Sequence, residues 1–176
     1  MKKYLDYYYL ENYLFGPVKN NFHKNKCLTS EEFLAIIIWK RNASKTKVIK
    51  GVNASGRSIR TITNEIYNTP SRDKKLQLLT EIKHIGPALA SAVLTVLYDN
   101  EFTVIDYRVE NSLKFIGVKI TGSPDTNADD YFAYVDICKK LAKKYNLSLR
   151  ELDMALWARD FYAGKGGLKE IAEKLI

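Results

Sequence analysis

Residues 76–98 read LQLLTEIKHIGPALASAVLTVLY, and this stretch decides the fold. Leu76, Leu78, Leu79 and Ile82 mark the apolar side of one helix. His84-Ile85-Gly86 breaks it, and Pro87 suits the first position of a second helix running three turns through ALASAVLTVLY. So short a turn leaves the first N–H groups of the second helix, from Gly86 to Leu89, outside any hydrogen-bonded ladder. They point outward, and the helix dipole adds partial positive charge, so a phosphate oxygen fits there without any base contact. Gly86 permits either a positive φ or close approach of another backbone. Lys83 and Lys74 add charge nearby. Gly and Pro at a joint also suit an ordinary helix pair in a bundle, so the flanking sequence has to separate the two readings.

Working outward, the chain reads as helical almost throughout, with about ten helices. Gly16-Pro17 is expected to end a first helix over residues 3–15, whose run Tyr7-Tyr8-Tyr9 reads as packing. Thr29 and Glu32 have capping-box spacing before FLAIIIWK. Ser44 is expected to cap a helix ending near Gly51, and Ser55 another reaching about Tyr67. Downstream of the hairpin, Glu101–Ile105 reads as extended. Asp106 begins a new helix and Gly117 ends it. The loop TGSPDTN precedes a helix at about 128–145, and Ser148 with Glu151 opens the helix LRELDMALWARDFYAG. Gly164–Gly167 reads as a flexible joint before a short last helix. The fold class is all-α.

Composition narrows the partners. With 28 Lys and Arg against 20 Asp and Glu, the net charge is +8, which favours a polyanion, nucleic acid ahead of a membrane surface. The two cysteines, Cys27 and Cys138, are far apart, so neither a disulfide framework nor an iron–sulfur cluster is expected. His23 and Cys27 share a helical spacing, but completing a zinc site would take His84 and Cys138 from distant segments; no metal site is expected. No segment reaches transmembrane length and no signal peptide stands out, so the expected setting is intracellular, cytoplasmic and nucleoid-associated.

From Leu78 to Gly117 the chain reads LLTEIKHIGPALASAVLTVLYDNEFTVIDYRVENSLKFIG, which resembles the helix-hairpin-helix superfamily of DNA glycosylases that includes endonuclease III. There a hairpin of the form Leu-Pro-Gly-Val-Gly-x-x-Thr-Ala leads through one helix and an extended link to a Val-Asp motif. Here Ile82–Ala90 corresponds to the hairpin and Val104-Ile105-Asp106 to the end of the link, with Asp106 standing 18 residues after Ala88. Upstream, EEFLAIIIWKRNASKTKVIKGV resembles the family helix that opens a six-helix barrel. The resemblance implies one two-lobed unit over residues 1–176: a barrel lobe at 30–118 with the hairpin at about 76–98, and a second lobe made of 1–29 plus 119–176. A nucleotide flipped out of the duplex would sit between the lobes. Several positions depart from the pattern. His84 replaces the first hairpin glycine and restricts the turn. Ala88 stands where strand-cleaving members carry a lysine, and Lys40-Arg41-Asn42 replaces a glutamine-bearing segment. The C-terminal cysteine cluster of endonuclease III is absent from this sequence.

Cleaving an N-glycosidic bond builds positive charge on the sugar, and a fixed carboxylate stabilises it or activates water. The resemblance therefore implies Asp106 as the catalytic residue, although Asp is also an ordinary helix N-cap. Capping amides would help keep its carboxylate ionised. Lys83, His84, Gly86, Ala88, Lys40, Arg41 and Arg108 are the expected DNA contacts, and Tyr107 and Trp39 the candidate base pocket. Core packing for Trp39 and a helix salt bridge for Arg108 compete with those roles. Trp157 and Met154 read as packing between lobes. No amine at Ala88 implies a monofunctional enzyme, with Lys83 or Lys40 the remaining source of lyase chemistry. No cofactor is expected beyond a monovalent cation at the hairpin, and the expected partner of the monomer is duplex DNA. The alternatives are a non-catalytic DNA-binding module and an all-helical protein-interaction domain.

Overall fold

The computed structural model describes residues 9–175, and every regular element among them is helical. Tyr7 and Tyr8 lie outside the described residues, while Tyr9 is exposed. The chain divides into two compact units, one up to Tyr98 and one from Asp99. Residues 9–29 fall in the same unit as the hairpin, and residues 99–118 in that of the C-terminal helices.

The N-terminal unit is built around a helix apolar on all sides. Helices α1 (Leu10–Tyr13) and α2 (Lys19–Asn25) flank a π-helical turn, Leu14–Val18. Gly16-Pro17 therefore does not end the helix. Proline lacks an N–H for the α-helical ladder, and widening the turn relieves the mismatch; the Lys19 N–H bonds Leu14 O, five residues back. Leu14, Val18 and Phe22 are buried along one side. In α3 (Ser30–Arg41), Thr29 Oγ1 accepts from the Glu32 N–H at 3.2 Å and Glu32 Oε2 accepts from the Thr29 N–H at 2.8 Å. That reciprocal cap fixes the start of the helix, and Phe33, Ile36 and Ile37 face inward.

Helix α4 (Lys45–Ala54) runs past Gly51, and Ser44 makes no side-chain cap for it. Ser58 rather than Ser55 caps α5 (Ile59–Asn68), because Ser55 bonds back to Val52 O as α4 ends. Ser71 caps α6 (Arg72–Thr80). The hairpin's second helix, α7 (Pro87–Leu97), contacts α2, α3 and α6 and is buried nearly all round. Its two hydroxyls avoid an unpaired burial by bonding within the helix, Ser91 to Ala88 O at 2.9 Å and Thr95 to Ser91 O at 2.7 Å.

The C-terminal unit begins with an extended link in which Phe102, Thr103, Val104 and Ile105 are all buried. Helix α8 (Tyr107–Phe115) follows. At its end Gly117 (φ +78°) adopts the left-handed conformation, and the Val118 N–H bonds Leu113 O while the Gly117 N–H bonds Lys114 O. Helix α9 (Ala128–Tyr145) ends on Asn146, also left-handed. The Ser148–Glu151 capping box opens α10 (Leu149–Ala163), and α11 (Leu168–Ala172) follows. Helices α8 and α10 pack together, and Ser112 Oγ bonds Leu156 O between them at 2.6 Å. The expected flexible joint at 164–167 is a packed turn: the Gly164 N–H bonds Asp160 O at 2.9 Å, and a Cβ at Gly164 would collide with the Asp160 carboxylate. Among the described residues no helix is long and apolar enough to cross a membrane.

Candidate functional site

At the hairpin, α6 ends at Thr80 and residues 81–86 make the turn. The residue with positive φ is His84 (φ 72°); Gly86 is extended, with φ −90° and ψ 177°. His84 thus takes the left-handed geometry itself, and the substitution does not block the turn. The Ile85 N–H bonds Ile82 O at 3.0 Å, while Ile82 and Ile85 anchor the turn in the core. Lys83, His84 and Gly86 are exposed and Ala88 is half-buried. The expected row of amides shrinks to two. Pro87 has no N–H, and that of Leu89 already bonds Gly86 O at 3.1 Å. Those of Gly86 and Ala88 have no partner among the described residues.

Helix α4 presses on this turn backbone to backbone. A Cβ at Gly51 would lie 2.9 Å from the Lys83 carbonyl carbon, and closer still to its oxygen. Only glycine lets the helix approach so far. At the end of α3, Lys40 is half-buried and Arg41 exposed. Trp39 is half-buried and edge-on to the half-buried Phe15, with ring centroids 5.6 Å apart. The His23 Nε2 lies 2.9 Å from Leu97 O, within the ring cluster of Phe22, Tyr67 and Tyr98.

The charge divides unequally. Up to Tyr98 the chain holds 16 Lys and Arg against 7 Asp and Glu, a net +9; from Asp99 onward 12 stand against 13. The whole basic excess therefore lies in the unit that carries the hairpin.

In the C-terminal unit, two tyrosines from α9 fix the link that leads to Asp106. Tyr131 donates to Thr103 O at 3.0 Å and Tyr134 to Val104 O at 2.9 Å, both with buried hydroxyls. Burial pushes the Tyr134 phenol well above its ordinary range, so it remains a donor. Asp106 is half-buried, and its Oδ1 accepts from the Arg108 N–H at 3.0 Å as the α8 N-cap. One turn on, the Glu110 carboxyl is pushed up, chiefly by partial burial; Lys114 opposes the shift, and Asp125 and Asp106 add to it.

Tyr107 is 62% exposed. Arg108 is largely buried, and its Nη1 pairs with the buried Asp160 at 3.2 Å, so the salt bridge is the role its geometry fills. Its guanidinium lies over the rings of Tyr107, Trp157 and Phe161 at 5.1–5.6 Å. Trp157 and Phe161 stack nearly parallel, 5.2 Å apart and 13° from coplanar, and each is 42% exposed. Met154 is exposed as well. These α10 side chains present an aromatic surface rather than filling a core. Sequence reasoning missed Asp160, Tyr131 and Tyr134 because their partners lie 28 to 52 residues away. Comparison with protein-family models, curated proteins and solved structures gives no match to the chain.

Proposed function

We propose that the chain is a monofunctional DNA glycosylase of the helix-hairpin-helix type, with the two-lobed fold of that superfamily, which removes a damaged or mismatched base flipped out of duplex DNA. The observation that carries this reading is Asp106. It stands 18 residues after Ala88, at the end of a buried link tied down by two tyrosine hydroxyls, with its carboxylate held by an α8 amide. A carboxylate so placed suits a bond that breaks with both electrons leaving on the base, because it opposes the positive charge left on the sugar carbon. Water then adds to that carbon, its proton passes to Asp106 or the departed base, and an abasic sugar and free base result. Tyr107 and the Trp157–Phe161 pair offer exposed faces on which an unstacked base can rest. Hairpin amides at Gly86 and Ala88, with Lys83, Lys40 and Arg41, suit phosphate contacts. Ala88 offers no amine to the sugar, so the strand is left uncut until alkali is added. In this reading the protein works as a monomer beside intracellular DNA, without a cofactor.

The test is single-turnover excision on a panel of lesion-bearing duplexes, read with and without alkali. Asn also caps helices well, so Asp106→Asn keeps α8 while removing the charge. The expected loss is on the order of 10²–10³ in rate, with DNA affinity retained. A folded variant that binds and excises as fast as the parent removes Asp106 from the mechanism. Duplex binding with no excision of any lesion leaves the non-catalytic module.

A further inference from the structure

The N-terminal unit carries a charged surface that the hairpin does not account for. From Phe33 to Asn64 the chain has seven basic residues and no acidic one. The carboxylates at either end of this stretch are already engaged. Glu32 is buried, bonded to Thr29 and to Asn21 Nδ2, and Glu65 pairs with Arg57. Lys45, Lys47 and Lys50 of α4 are all exposed, and Lys45 Nζ bonds only the neutral Asn42 Oδ1, at 2.8 Å. None of the three, nor Lys83, has a carboxylate partner among the described residues. A protein gains nothing in stability from collecting like charges on one helix without counter-charges, since they repel one another. The backbone contact between Gly51 and Lys83 O fixes this helix against the hairpin turn, so α4 and the turn form one rigid support from which these lysines and Lys83 project.

We propose that α4 is a second phosphate-binding element, in which Lys45, Lys47 and Lys50 extend the hairpin's contact along the sugar–phosphate backbone of duplex DNA. This rests on the proposed function only in taking duplex DNA as the partner. A ten-residue helix is about 15 Å long, the axial length of about four phosphates on one strand. Lys45, Lys47 and Lys50 occupy its first half, about 7.5 Å of rise or about two phosphate intervals, and the charge is complementary over the whole unit. The contact is to backbone, so it is independent of sequence and of any lesion.

The experiment titrates the full-length protein against a fluorescent lesion-free duplex over a range of salt. Four proteins are compared: the parent; Lys45→Gln, Lys47→Gln and Lys50→Gln together; the same three changed to Arg; and a control with Lys140, Lys143 and Lys144 of α9 changed to Gln. Each lost phosphate contact lowers the log–log salt slope by about 0.9, so the α4 glutamine triple should lose about 2–3 from the slope. The arginine triple should keep the parent slope, and the α9 control should change it by less than about 0.5. The lysines are exposed, so melting should be unaffected. A parent slope in the α4 glutamine triple, an equal loss in the α9 control, or no duplex binding by the parent overturns the proposal. So does a duplex RNA competitor that displaces the DNA as well as duplex DNA does. The lesion panel, run on the parent, reads the glycosylase chemistry separately: a slope loss without excision keeps α4 and sinks the enzyme, whereas excision with an unchanged slope does the reverse.

Discussion

Substituting Gly51 by alanine should destabilise the protein, although the same change stabilises most helices. Alanine is about 1 kcal/mol better than glycine in a helix interior, and by propensity alone the variant would gain that amount. Its Cβ, however, would stand 2.9 Å from the Lys83 carbonyl carbon and within the radius of the oxygen, where no real Cβ is found. The obstruction is main chain in a turn anchored by buried Ile82 and Ile85, so no rotamer change relieves it, and α4 has to move off the hairpin. Overpacking of this kind costs about 1–3 kcal/mol. With a backbone obstacle the upper end applies, leaving a net loss of about 1–2 kcal/mol after the propensity gain. At about 2–4 °C per kcal/mol for a chain of this size, Tm should fall by about 2–8 °C. Urea and thermal unfolding of the variant beside the parent measure the sign. A Gly51→Ala protein as stable as the parent, or more so, would refute the close packing of α4 on the hairpin, and with it the rigid support from which the α4 lysines project.

Two further outcomes follow from the titrating groups. Glu110 has a raised pKa, so its charged form is disfavoured in the folded state. The parent should lose stability relative to Glu110→Gln as pH rises from the ordinary value of 4.5 through the raised one, with no such difference below it. A Tm difference that stays constant from about pH 4 to 7 would contradict this sign. Cys138 is buried and its thiol is pushed up to about 12, chiefly by burial, with the Tyr134 hydrogen bond opposing and Asp153 adding. Its thiolate is therefore negligible at about pH 8, and a thiol-alkylating reagent should label only the half-exposed Cys27 until denaturant is added. Two fast-reacting thiols in the native protein would mean that α9 does not pack as described.

Much of the local structure was legible in the sequence, because its causes are local. Thr29 with Glu32 and Ser148 with Glu151 form their capping boxes since both partners lie within one turn. Asp106 and Gly117 bound α8 for the same reason. The misplaced boundaries have local causes too, but ones that compete. Ser55 and Ser58 are equally good caps on paper, and only the path of the chain decides which hydroxyl meets an open amide. Pro17 reads as a stop, yet a widened turn keeps Leu14, Val18 and Phe22 on one buried stripe, and burying all three outweighs the lost hydrogen bond.

By itself, then, the sequence determined the all-helical class, the helix that opens at Pro87, the start of α8 at Asp106 and the basic charge of the chain. These follow from periodicity, capping and composition, which act over a few residues or need no geometry at all. Tertiary structure alone decided that His84 carries the left-handed turn while Gly86 stays extended, and that Gly51 meets Lys83. It also decided that Arg108 is held by Asp160, and that Tyr131 and Tyr134 tie down the link to Asp106. Each of these joins groups far apart in the chain or makes one backbone yield to another, and which pairs meet is fixed only when the helices pack.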